Sequence, residues 1–336
     1  MGINRYNVAI IGTGSITKHH ISALRAIPEF NVIGIYGKDP ARTEKIASDF
    51  KLKAFKKFRE ILFNPDIHIL DITTSSNLHA YYGIEAAKHG KNLIIEKPID
   101  SSLEKAEELV RTCTEEKCLT GVVYQQRFDE SIIILKELLS KNLLGRLVSG
   151  SVIVRQKRDL AYYRHKENSC SGVLLNNGIH YIDTAIYLIG KAPCSSHGII
   201  KTTRKELSVE DYACVTMEFD DTFQFSIDIS TNVRKTLPTI FEIHGEKGSI
   251  IFWDKRVKYI SLNIPWEKIL DSKRLFKLFL AGKLKIPFNF KQGSHKDVFN
   301  NYLKALKGIE SVSADGGNAL ASLRIVHEIY RKHTVQ

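Results

Sequence analysis

Residues 6–17 read YNVAIIGTGSIT, and this stretch decides the first half of the fold. An apolar run typical of a buried strand passes through Gly12 and Gly14 into a predicted helix that ends near Ala26. In such a turn the first glycine permits the tight bend, and the second lets a phosphate approach the N–H groups at the helix N-terminus. Thr17 stands where a third glycine or an alanine is usual. The stretch indicates a dinucleotide-binding turn, with a purely structural turn as the alternative.

The segments that follow alternate strand and helix as far as about Val122, which is typical of a doubly wound parallel sheet. Beyond that point the chain turns to a run of alternating strands, such as Ala213–Phe219, and two helices close it. The sequence therefore predicts an α/β fold with a dinucleotide-binding, Rossmann-type domain over residues 1–122. A substrate-binding and oligomerisation domain of α+β type, with a large, mostly antiparallel open sheet, is predicted over residues 123–336.

Length and composition exclude several classes of protein. A chain of 336 residues predicts two domains, because one core rarely grows beyond about 250–300 residues. Its 43% hydrophobic and 26% charged residues exclude a disordered or collagen-like chain. No apolar run approaches the roughly 18–20 residues of a membrane-spanning helix, and the N-terminus does not resemble a signal peptide. The five cysteines lack CxxC spacing, which predicts free thiols in the cytoplasm and no metal site.

The end of the second predicted strand bears on the choice of cofactor. NAD-binding domains use a carboxylate there to hold the adenosine ribose, and this chain has Gly37 at that position. Lys38 and Arg42 follow, and either can pair with a 2′-phosphate. The sequence therefore favours NADP over NAD. Two alternatives remain: Asp39 shifts into the place of the acid, or it simply starts the next helix.

Two further segments carry polar groups suited to catalysis. The tripeptide Glu96-Lys97-Pro98 follows a predicted strand, so a lysine lies at the carboxyl end of the sheet, and the proline can hold a cis bond that directs it inward. In the helix predicted over 172–189, Asn176, His180 and Asp183 are spaced to share one face. Alone, these segments fit an ordinary loop and a satisfied buried histidine. Together with the cofactor turn they indicate an active site.

These motifs resemble those of the glucose–fructose oxidoreductase/inositol dehydrogenase (Gfo/Idh/MocA) family over essentially the whole chain. The matching elements are the Gly12/Gly14 turn with His20 on the next helix, Thr74–His79, Glu96-Lys97-Pro98, Arg127, the pattern Asn176-x-Gly178-x-His180-x-x-Asp183, and the closing segment Asp315–Gly317. Within the family, residues 124–128 and 174–183 most resemble the UDP-N-acetylglucosaminuronate 3-dehydrogenases of surface-polysaccharide pathways.

The resemblance implies a nicotinamide-dependent oxidoreductase that interconverts a hydroxyl and a ketone on a sugar, most naturally a nucleotide-linked one. Lys97 corresponds to the family's active-site lysine, Asn176 to its Asp/Asn and His180 to its acid–base group. In this interpretation His180 moves the hydroxyl proton, Lys97 stabilises alkoxide character and Asn176 orients the hydroxyl. The alternatives are an NADPH-dependent ketosugar reductase, a free-sugar or polyol dehydrogenase, and a cofactor-binding regulator without catalysis.

The predicted site residues fall into two groups. Those predicted to bind NADP or NAD are Gly12, Gly14, Ser15, Ile16, Gly37, Lys38, Arg42, Thr74, Asn77, His79, Glu96 and Lys97. Those predicted to bind substrate are Gln125, Arg127, Arg155, Tyr163, Asn176 and Asp183. The polar loop over 155–166 is predicted to hold phosphate and stack a base or sugar, with a solvated surface as the alternative. The resemblance also implies a homo-oligomer, either dimer or tetramer.

The net charge of +12 is concentrated in residues 255–291, where ten basic residues face two acidic ones. A local positive charge suits phosphate ligands, nucleic acid or an anionic membrane surface. No aromatic nucleic-acid motif accompanies it, so nucleic acid is not predicted. Residues 268–280 form a candidate basic amphipathic helix. Its predicted roles are peripheral membrane contact or steering of a sugar diphosphate, and the alternative is a solvated face.

Overall fold

The computed structural model describes residues 5–167, 172–254, 256–262, 272–284 and 289–334, and the chain forms two compact units. The first unit comprises residues 1–125 and 294–323, and the second comprises residues 126–293 and 324–336. This division departs from the predicted domains at the C-terminal end, because residues 294–323 belong to the first unit.

Six parallel strands form the sheet of the first unit. They are β1 (Tyr6–Ile11), β2 (Phe30–Tyr36), β3 (Lys53–Ala54), β4 (Ile69–Ile72), β5 (Asn92–Ile95) and β6 (Thr120–Val122). The strand order is β3-β2-β1-β4-β5-β6, so the direction of winding reverses between β1 and β4. Val8 to Ile11 are fully buried, as expected where helices cover both faces of a parallel sheet. Ligands of doubly wound sheets bind at the carboxyl ends of the strands beside this reversal.

The first five helices connect these strands. They are α1 (Thr17–Arg25), α2 (Pro40–Phe50), α3 (Phe58–Leu62), α4 (His79–Lys88) and α5 (Leu103–Glu115). Two begin at side-chain caps: Asp39 accepts a hydrogen bond from the N–H of Arg42, and Ser102 accepts one from that of Lys105. Asp39 therefore starts a helix, which was the second of the two alternatives that the sequence left open.

The second unit is built on a seven-stranded sheet. Its strands are β7 (Leu147–Arg155), β8 (Ser195–Lys201), β9 (Tyr212–Glu218), β10 (Gln224–Ser230), β11 (Ile240–Gly245), β12 (Gly248–Trp253) and β13 (Arg256–Leu262). The order is β13-β12-β11-β7-β10-β9-β8, and every pairing is antiparallel except that of β7 with β10. Along β9 and β10 buried residues alternate with less buried ones. The predicted fold class, a parallel Rossmann sheet followed by a mostly antiparallel one, is confirmed.

The helices of the second unit differ in part from the prediction. They are α6 (Glu130–Ser140), α7 (Leu160–Glu167), α8 (Ile179–Ile189) and α9 (Lys273–Leu284). The sequence predicted a loop where α7 lies, and it predicted one regular helix where a π-helix over Leu174–Gly178 precedes α8. The edge strand β13 was not predicted.

The candidate amphipathic helix is represented by α9, since residues 268–271 lie outside the described part of the chain. Leu275 and Leu278 are buried, whereas Phe276 is 40% and Leu280 is 38% exposed. The membrane-contact and steering roles of this basic segment stay predictions, and Lys255 and Lys285 lie outside the described residues. None of the helices in the described ranges has both the length and the apolar character needed to cross a bilayer.

The last two helices, α10 (His295–Leu306) and α11 (Gly316–Thr334), explain the revised boundary. α10 packs against α1, and the hydroxyl of Tyr302 donates a hydrogen bond to the carbonyl of Leu119 at 2.9 Å. The N–H of Val122 donates to the carbonyl of Ala314 at 2.8 Å. These contacts cover the β6 edge of the first sheet with residues from the C-terminal part of the chain. Tyr302 and Leu119, for example, are 183 residues apart in sequence.

A buried ion pair joins two segments of the second unit. Arg127 donates from Nε and Nη2 to the two carboxylate oxygens of Asp183, at 2.8 and 2.6 Å, and both side chains are only 1% exposed. The Arg127 guanidinium also lies 4.8 Å from the ring centre of Tyr187. Both residues were predicted to bind substrate. The geometry pairs them with each other, because a buried guanidinium and a buried carboxylate each need a partner of opposite charge. Their contact with substrate stays a prediction.

We therefore expect Asp183→Ala to lower the free energy of unfolding by about 3–5 kcal/mol, since it leaves a buried guanidinium unpaired. The measurement is urea unfolding. Asp228→Ala is the control, because Asp228 forms the same kind of ion pair at a more exposed position. Its carboxylate lies 2.7 Å from Nη2 of Arg155, and the side chains of Arg155 and Asp228 are 25% and 33% exposed. That variant is expected to lose no more than about 1 kcal/mol. A normal stability for Asp183→Ala, with a raised KM, would instead support the substrate role.

Candidate active site

The turn after β1 is shaped by two glycines with different roles. Gly12 has φ +125°, and a Cβ there would lie 2.7 Å from the backbone of Thr73, so only glycine fits. At Gly14 the nearest atom to such a Cβ is 3.7 Å away, which leaves the approach to the backbone open. The hydroxyl of Thr17 bonds to that of Thr73 at 2.9 Å and donates to the Gly12 carbonyl at 3.2 Å. Thr17 therefore closes the turn where a small residue is usual.

The N-terminus of α1 suits an anion. Its N-cap residue Ile16 provides no side-chain hydrogen bond, and its first turn contains no acidic residue. Helices leave N–H groups without partners at this end, where the dipole favours negative charge. With the open approach at Gly14, and with Ser15 exposed beside it, the turn fits the pyrophosphate of a dinucleotide.

The end of β2 offers no carboxylate to an adenosine ribose. A Cβ at Gly37 would lie 2.5 Å from Cγ2 of Thr13 and 2.9 Å from Oγ1 of Thr43, so a larger residue needs both to move. Asp39 is committed to the α2 cap. Lys38 and Arg42 are exposed. This pattern of charge agrees with the predicted preference for a 2′-phosphate.

His79, which was predicted to bind the cofactor, is buried and connects two loops. Its Nδ1 lies 2.8 Å from the carbonyl of Pro98, and its Nε2 lies 3.1 Å from that of Thr74. Burial lowers the pKa of His79, although both carbonyls oppose the shift. Because both ring nitrogens face main-chain oxygens, the side chain holds the loops at the carboxyl edge of the sheet. Thr74 is half-buried and Asn77 is exposed, and their predicted cofactor contacts stay predictions.

The turn after β5 carries Glu96 and Lys97, and the Lys97–Pro98 peptide bond is cis, as the sequence suggested. One oxygen of Glu96 accepts a hydrogen bond from His20 Nε2 at 2.8 Å, and the other accepts one from the backbone N–H of Lys97 at 3.1 Å. Nδ1 of His20 lies 3.0 and 2.9 Å from the two oxygens of Asp71. Both oxygens of Glu96 therefore have partners within the protein, and its predicted contact with the cofactor stays a prediction.

The charges in this cluster reinforce one another. Burial disfavours the charged form of His20, but Asp71 and Glu96 outweigh it and raise the pKa of His20 to about 10. Burial likewise opposes ionisation of Glu96, yet the hydrogen bond from His20, the His295 ring 3.6 Å away and the charges of His20 and Lys97 hold its pKa well below the usual range. At neutral pH the cluster therefore contains an imidazolium between two carboxylates.

In the second unit, the catalytic candidates lie on the π-helix and on α8. Asn176 is 6% exposed, and its Nδ2 donates to the hydroxyl of Tyr162 at 2.8 Å. His180 is the second residue of α8 and is half-buried. A π-turn shifts the helical phase, so the regular spacing assumed from the sequence does not hold between Asn176 and His180.

The start of the π-helix is fixed by a buried carboxylate. Glu210 accepts hydrogen bonds from the N–H of Leu174 at 3.0 Å and from the hydroxyl of Tyr330 at 2.6 Å. Burial raises the pKa of Glu210, and these two donors limit the rise. A Cβ at Gly172 would overlap the same carboxylate, so glycine is required there. The segment that bears Asn176 is thus positioned by Glu210, which precedes β9, and by Tyr330 of α11.

A cationic cavity of about 540 Å³ lies at the end of the second sheet, lined among others by Lys157, Arg158 and Arg204. Arg158 stacks on the ring of Tyr162 at 4.9 Å, and the same tyrosine receives the hydrogen bond from Asn176. Arg204 donates to Asp211 at 2.7 Å and to the carbonyl of Arg158 at 2.7 Å. The cavity is therefore linked to the catalytic candidate Asn176 through one aromatic side chain.

Other predicted substrate residues make contacts within the unit. Arg155 pairs with Asp228, and Tyr163 is fully buried with its hydroxyl bonded to that of Thr231. Each of these polar groups has a partner in the protein, and the predicted contacts of Arg155 and Tyr163 with substrate stay predictions. Gln125 is half-buried in a short 3-10 helix, and its contact with substrate stays a prediction. The Arg164 side chain lies outside the described residues.

Several residues around the site were not predicted, and only some left a signal in the sequence. Acidic residues inside an apolar strand, such as Asp71, indicate a buried partner but do not name it. The Glu210–Asp211 pair at the start of β9 is a similar signal. Ser294 and Asp297 form a capping box that marks the start of α10, yet nothing local indicates that His295 faces Glu96. Tyr330 left no signal.

Comparison with known proteins agrees with this geometry. Residues 6–124 match the model of the oxidoreductase family with an NAD-binding Rossmann fold, and residues 132–251 match the GFO/IDH/MocA C-terminal domain. The NADP-dependent scyllo-inositol 2-dehydrogenase of Bacillus subtilis is 27% identical over 74% of this chain and 69% of its own. Levoglucosan dehydrogenase of Pseudarthrobacter phenanthrenivorans is 27% identical, with 73% of each chain covered.

A solved structure supports the same fold over a longer span. The WlbA dehydrogenase of Bordetella pertussis, determined in complex with NADH and UDP-GlcNAcA, superimposes with a TM-score of 0.85 at 21% identity, covering 98% of this chain and 97% of its own. The two family models cover more than half of the chain. This protein therefore belongs to the GFO/IDH/MocA family of NAD(P)-dependent sugar and polyol oxidoreductases.

Proposed function

We propose that this enzyme interconverts a hydroxyl and a ketone on a sugar that is linked to a nucleoside diphosphate. The observation that carries the proposal is the cationic cavity beside Asn176. Three cations, Lys157, Arg158 and Arg204, line it, and Asp159 is the acidic residue among its lining side chains. A free sugar or polyol is uncharged and cannot form ion pairs with these cations, whereas a diphosphate carries negative charge that can pair with them.

The cation with most freedom to bind a ligand is Lys157. Its backbone N–H donates to Thr236, but its exposed ammonium makes no hydrogen bond or ion pair within the described residues. Arg158 stacks on Tyr162 and reaches Gln156 at 3.4 Å, while Arg204 already pairs with Asp211. We therefore expect Lys157 and Arg158 to contact the diphosphate and Arg204 to hold the cavity wall.

Three residues carry the proposed chemistry. The nicotinamide cofactor, when bound, accepts or supplies the hydride. His180 takes the hydroxyl proton or returns it, a task that suits an imidazole near neutral pH. Lys97 donates a hydrogen bond to the same oxygen and stabilises its negative charge as the carbonyl forms or is reduced. Asn176, held by Tyr162, orients the hydroxyl and takes no part in proton transfer, because an amide does not titrate.

A second candidate function is oxidation or reduction of a free sugar or polyol. The names of the two enzymes at 27% identity, a scyllo-inositol and a levoglucosan dehydrogenase, favour it. The same three residues would serve either substrate class and either direction. A place in surface-polysaccharide biosynthesis, a cytoplasmic location and a homo-oligomeric state remain predictions.

We predict that Lys97→Ala and His180→Asn each lower kcat/KM by about 10²–10⁴-fold, the range typical of a lost proton-transfer or oxyanion-stabilising group. Cofactor binding, followed by nicotinamide fluorescence, and the unfolding midpoint are expected to change little. Lys105→Ala, an exposed lysine on α5, serves as the control and should behave as the parent. Full turnover in Lys97→Ala would contradict the proposed mechanism.

The cofactor preference is tested with Lys38→Glu. Because Lys38 lies beside Gly37 at the end of β2, a carboxylate there would repel a 2′-phosphate. We expect the Kd for NADP to rise by about tenfold or more and the Kd for NAD to change much less. Isothermal titration of both cofactors into parent and variant measures this. If both Kd values moved equally, Lys38 would not distinguish the cofactors.

The substrate class is tested with Lys157→Ala and a panel of UDP-sugars against the corresponding free sugars. Loss of one hydrogen bond to a charged group should raise KM for the nucleotide sugar by about tenfold and leave the free sugar unaffected. Lys201→Ala, an exposed lysine on β8, is the matched control. Higher kcat/KM for free sugars in the parent, or equal changes for both classes in Lys157→Ala, would favour the second candidate function.

A further inference from the structure

We propose that His20 is a positioning residue for Lys97: hydrogen-bonded between Asp71 and Glu96, it fixes the Glu96 carboxylate, which in turn fixes the main chain of Lys97. Neither the sequence motifs nor the family comparison assigns His20 a role. The inference rests on the proposed function of Lys97, so its test includes a measurement that does not depend on turnover.

The contacts of His20 connect helix α1 with strand β4 and with the turn after β5. His20 lies on the buried face of α1, Asp71 lies within β4, and Glu96 follows β5 directly. His20 and Asp71 are fully buried, and the Glu96 side chain is 12% exposed. Each nitrogen of the ring has a carboxylate at 2.8–3.0 Å. A neutral imidazole has one N–H, so both contacts are hydrogen bonds only when the ring is protonated.

The second oxygen of Glu96 transmits this arrangement to Lys97. It accepts the backbone N–H of Lys97 at 3.1 Å, at the residue where the chain turns toward Pro98. With one oxygen held by His20 and the other on the main chain, the carboxylate has little rotational freedom. Its negative charge remains next to Lys97 and favours the ammonium form of that side chain.

The charged and titratable groups around His20 support a protonated ring. Asp71 faces it from β4, Glu96 from the end of β5, and His295 from α10 with ring centres 4.8 Å apart. Phe299, also on α10, covers the ring edge-to-face at 5.3 Å and excludes water. Two carboxylates face one cationic ring. Removal of the ring proton would therefore leave two buried negative charges without a cation between them.

A bound metal is the competing interpretation of the same cluster. Ligand atoms of His20, Glu96 and His295 lie within 4.8 Å of one another, and a carboxylate behind a histidine often orients a metal ligand. The 2.8 Å contact between His20 Nε2 and Glu96 has the length of a charge-assisted hydrogen bond, and the other ring nitrogen faces Asp71, so a protonated ring accounts for both contacts without an ion. Elemental analysis of the purified protein distinguishes the two interpretations.

The first experiment is NMR titration of the histidine ring signals in the apo protein, with exposed His19 on the same helix as the control. His20 should keep imidazolium shifts across neutral pH, consistent with its pKa of about 10. In Asp71→Asn, which preserves the size of the side chain, His20 should begin to titrate at lower pH. Titration of parent His20 near pH 6.5, or one bound zinc per chain by elemental analysis, would overturn the proposal.

The second experiment separates positioning from simple stability. Glu96→Gln removes the charge beside Lys97, so the alkaline limb of kcat/KM should move down by about one pH unit or more. In Asp71→Asn, Glu96 keeps its charge and the limb should not move down. His20→Gln should lower kcat by about 10²-fold with a smaller change in the KM for cofactor. A Glu96→Gln limb at the parental pH would overturn the inference.

These outcomes also distinguish this inference from the proposed function. If Lys97→Ala kept full turnover, the catalytic role of Lys97 would fail while the His20 titration still reported the buried imidazolium. If Lys97→Ala lost turnover and His20 titrated as an ordinary histidine, the catalytic role would stand and the positioning role would fail.

Discussion

Two buried carboxylates of the first unit, Asp71 within β4 and Glu96 just after β5, need a positive charge, and His20 lies directly between them. Asp71 and Glu96 both lie in the interior, where an unpaired carboxylate is costly to ionise. His20 meets both, so the position of α1, the end of β4 and the turn after β5 depend on one another. The same helix begins at the glycine turn that fits the pyrophosphate. A single ionic chain thus connects the element that would hold the cofactor to the turn that carries Lys97.

In the second unit, too, a buried carboxylate and its hydrogen-bond partners hold the segment that bears a candidate catalytic residue. The π-helix that bears Asn176 starts against Glu210, which accepts from Leu174 and Tyr330, and Asn176 itself donates to Tyr162. Backbone N–H groups at the start of a helix need partners, and a π-turn adds a further irregularity. Here the partners come from distant segments rather than from a local cap. In both units, long-range polar contacts hold the candidate catalytic residues on otherwise regular scaffolding.

The sequence predicted what local rules determine. The strand–glycine–helix stretch and the alternation of strands and helices depend on neighbouring residues, and the fold class followed from them. Partner choice over long distances did not follow. Arg127 and Asp183 are 56 residues apart, and a sequence shows their charges but not that they neutralise each other. The same limit hid His295, whose helix start was visible while its position beside Glu96 was not.

Burial then decides which cations of the second unit remain for a ligand. Arg127 is buried against Asp183, and Arg155 lies on the sheet against Asp228, so the carboxylates of the protein already neutralise them. Arg204 gives its donors to Asp211 and to a carbonyl, which leaves it as part of the cavity wall. Lys157 is exposed at the cavity and Arg158 lies over an aromatic ring, where a planar guanidinium keeps donors at its edge. Arg127 and Arg155, two residues that the sequence predicted to bind substrate, therefore each have a carboxylate partner within the second unit. Lys157 and Arg158 are thus the cations of this cavity that have no carboxylate partner within the described residues, and they are the physical basis for proposing a phosphate-bearing sugar near Asn176.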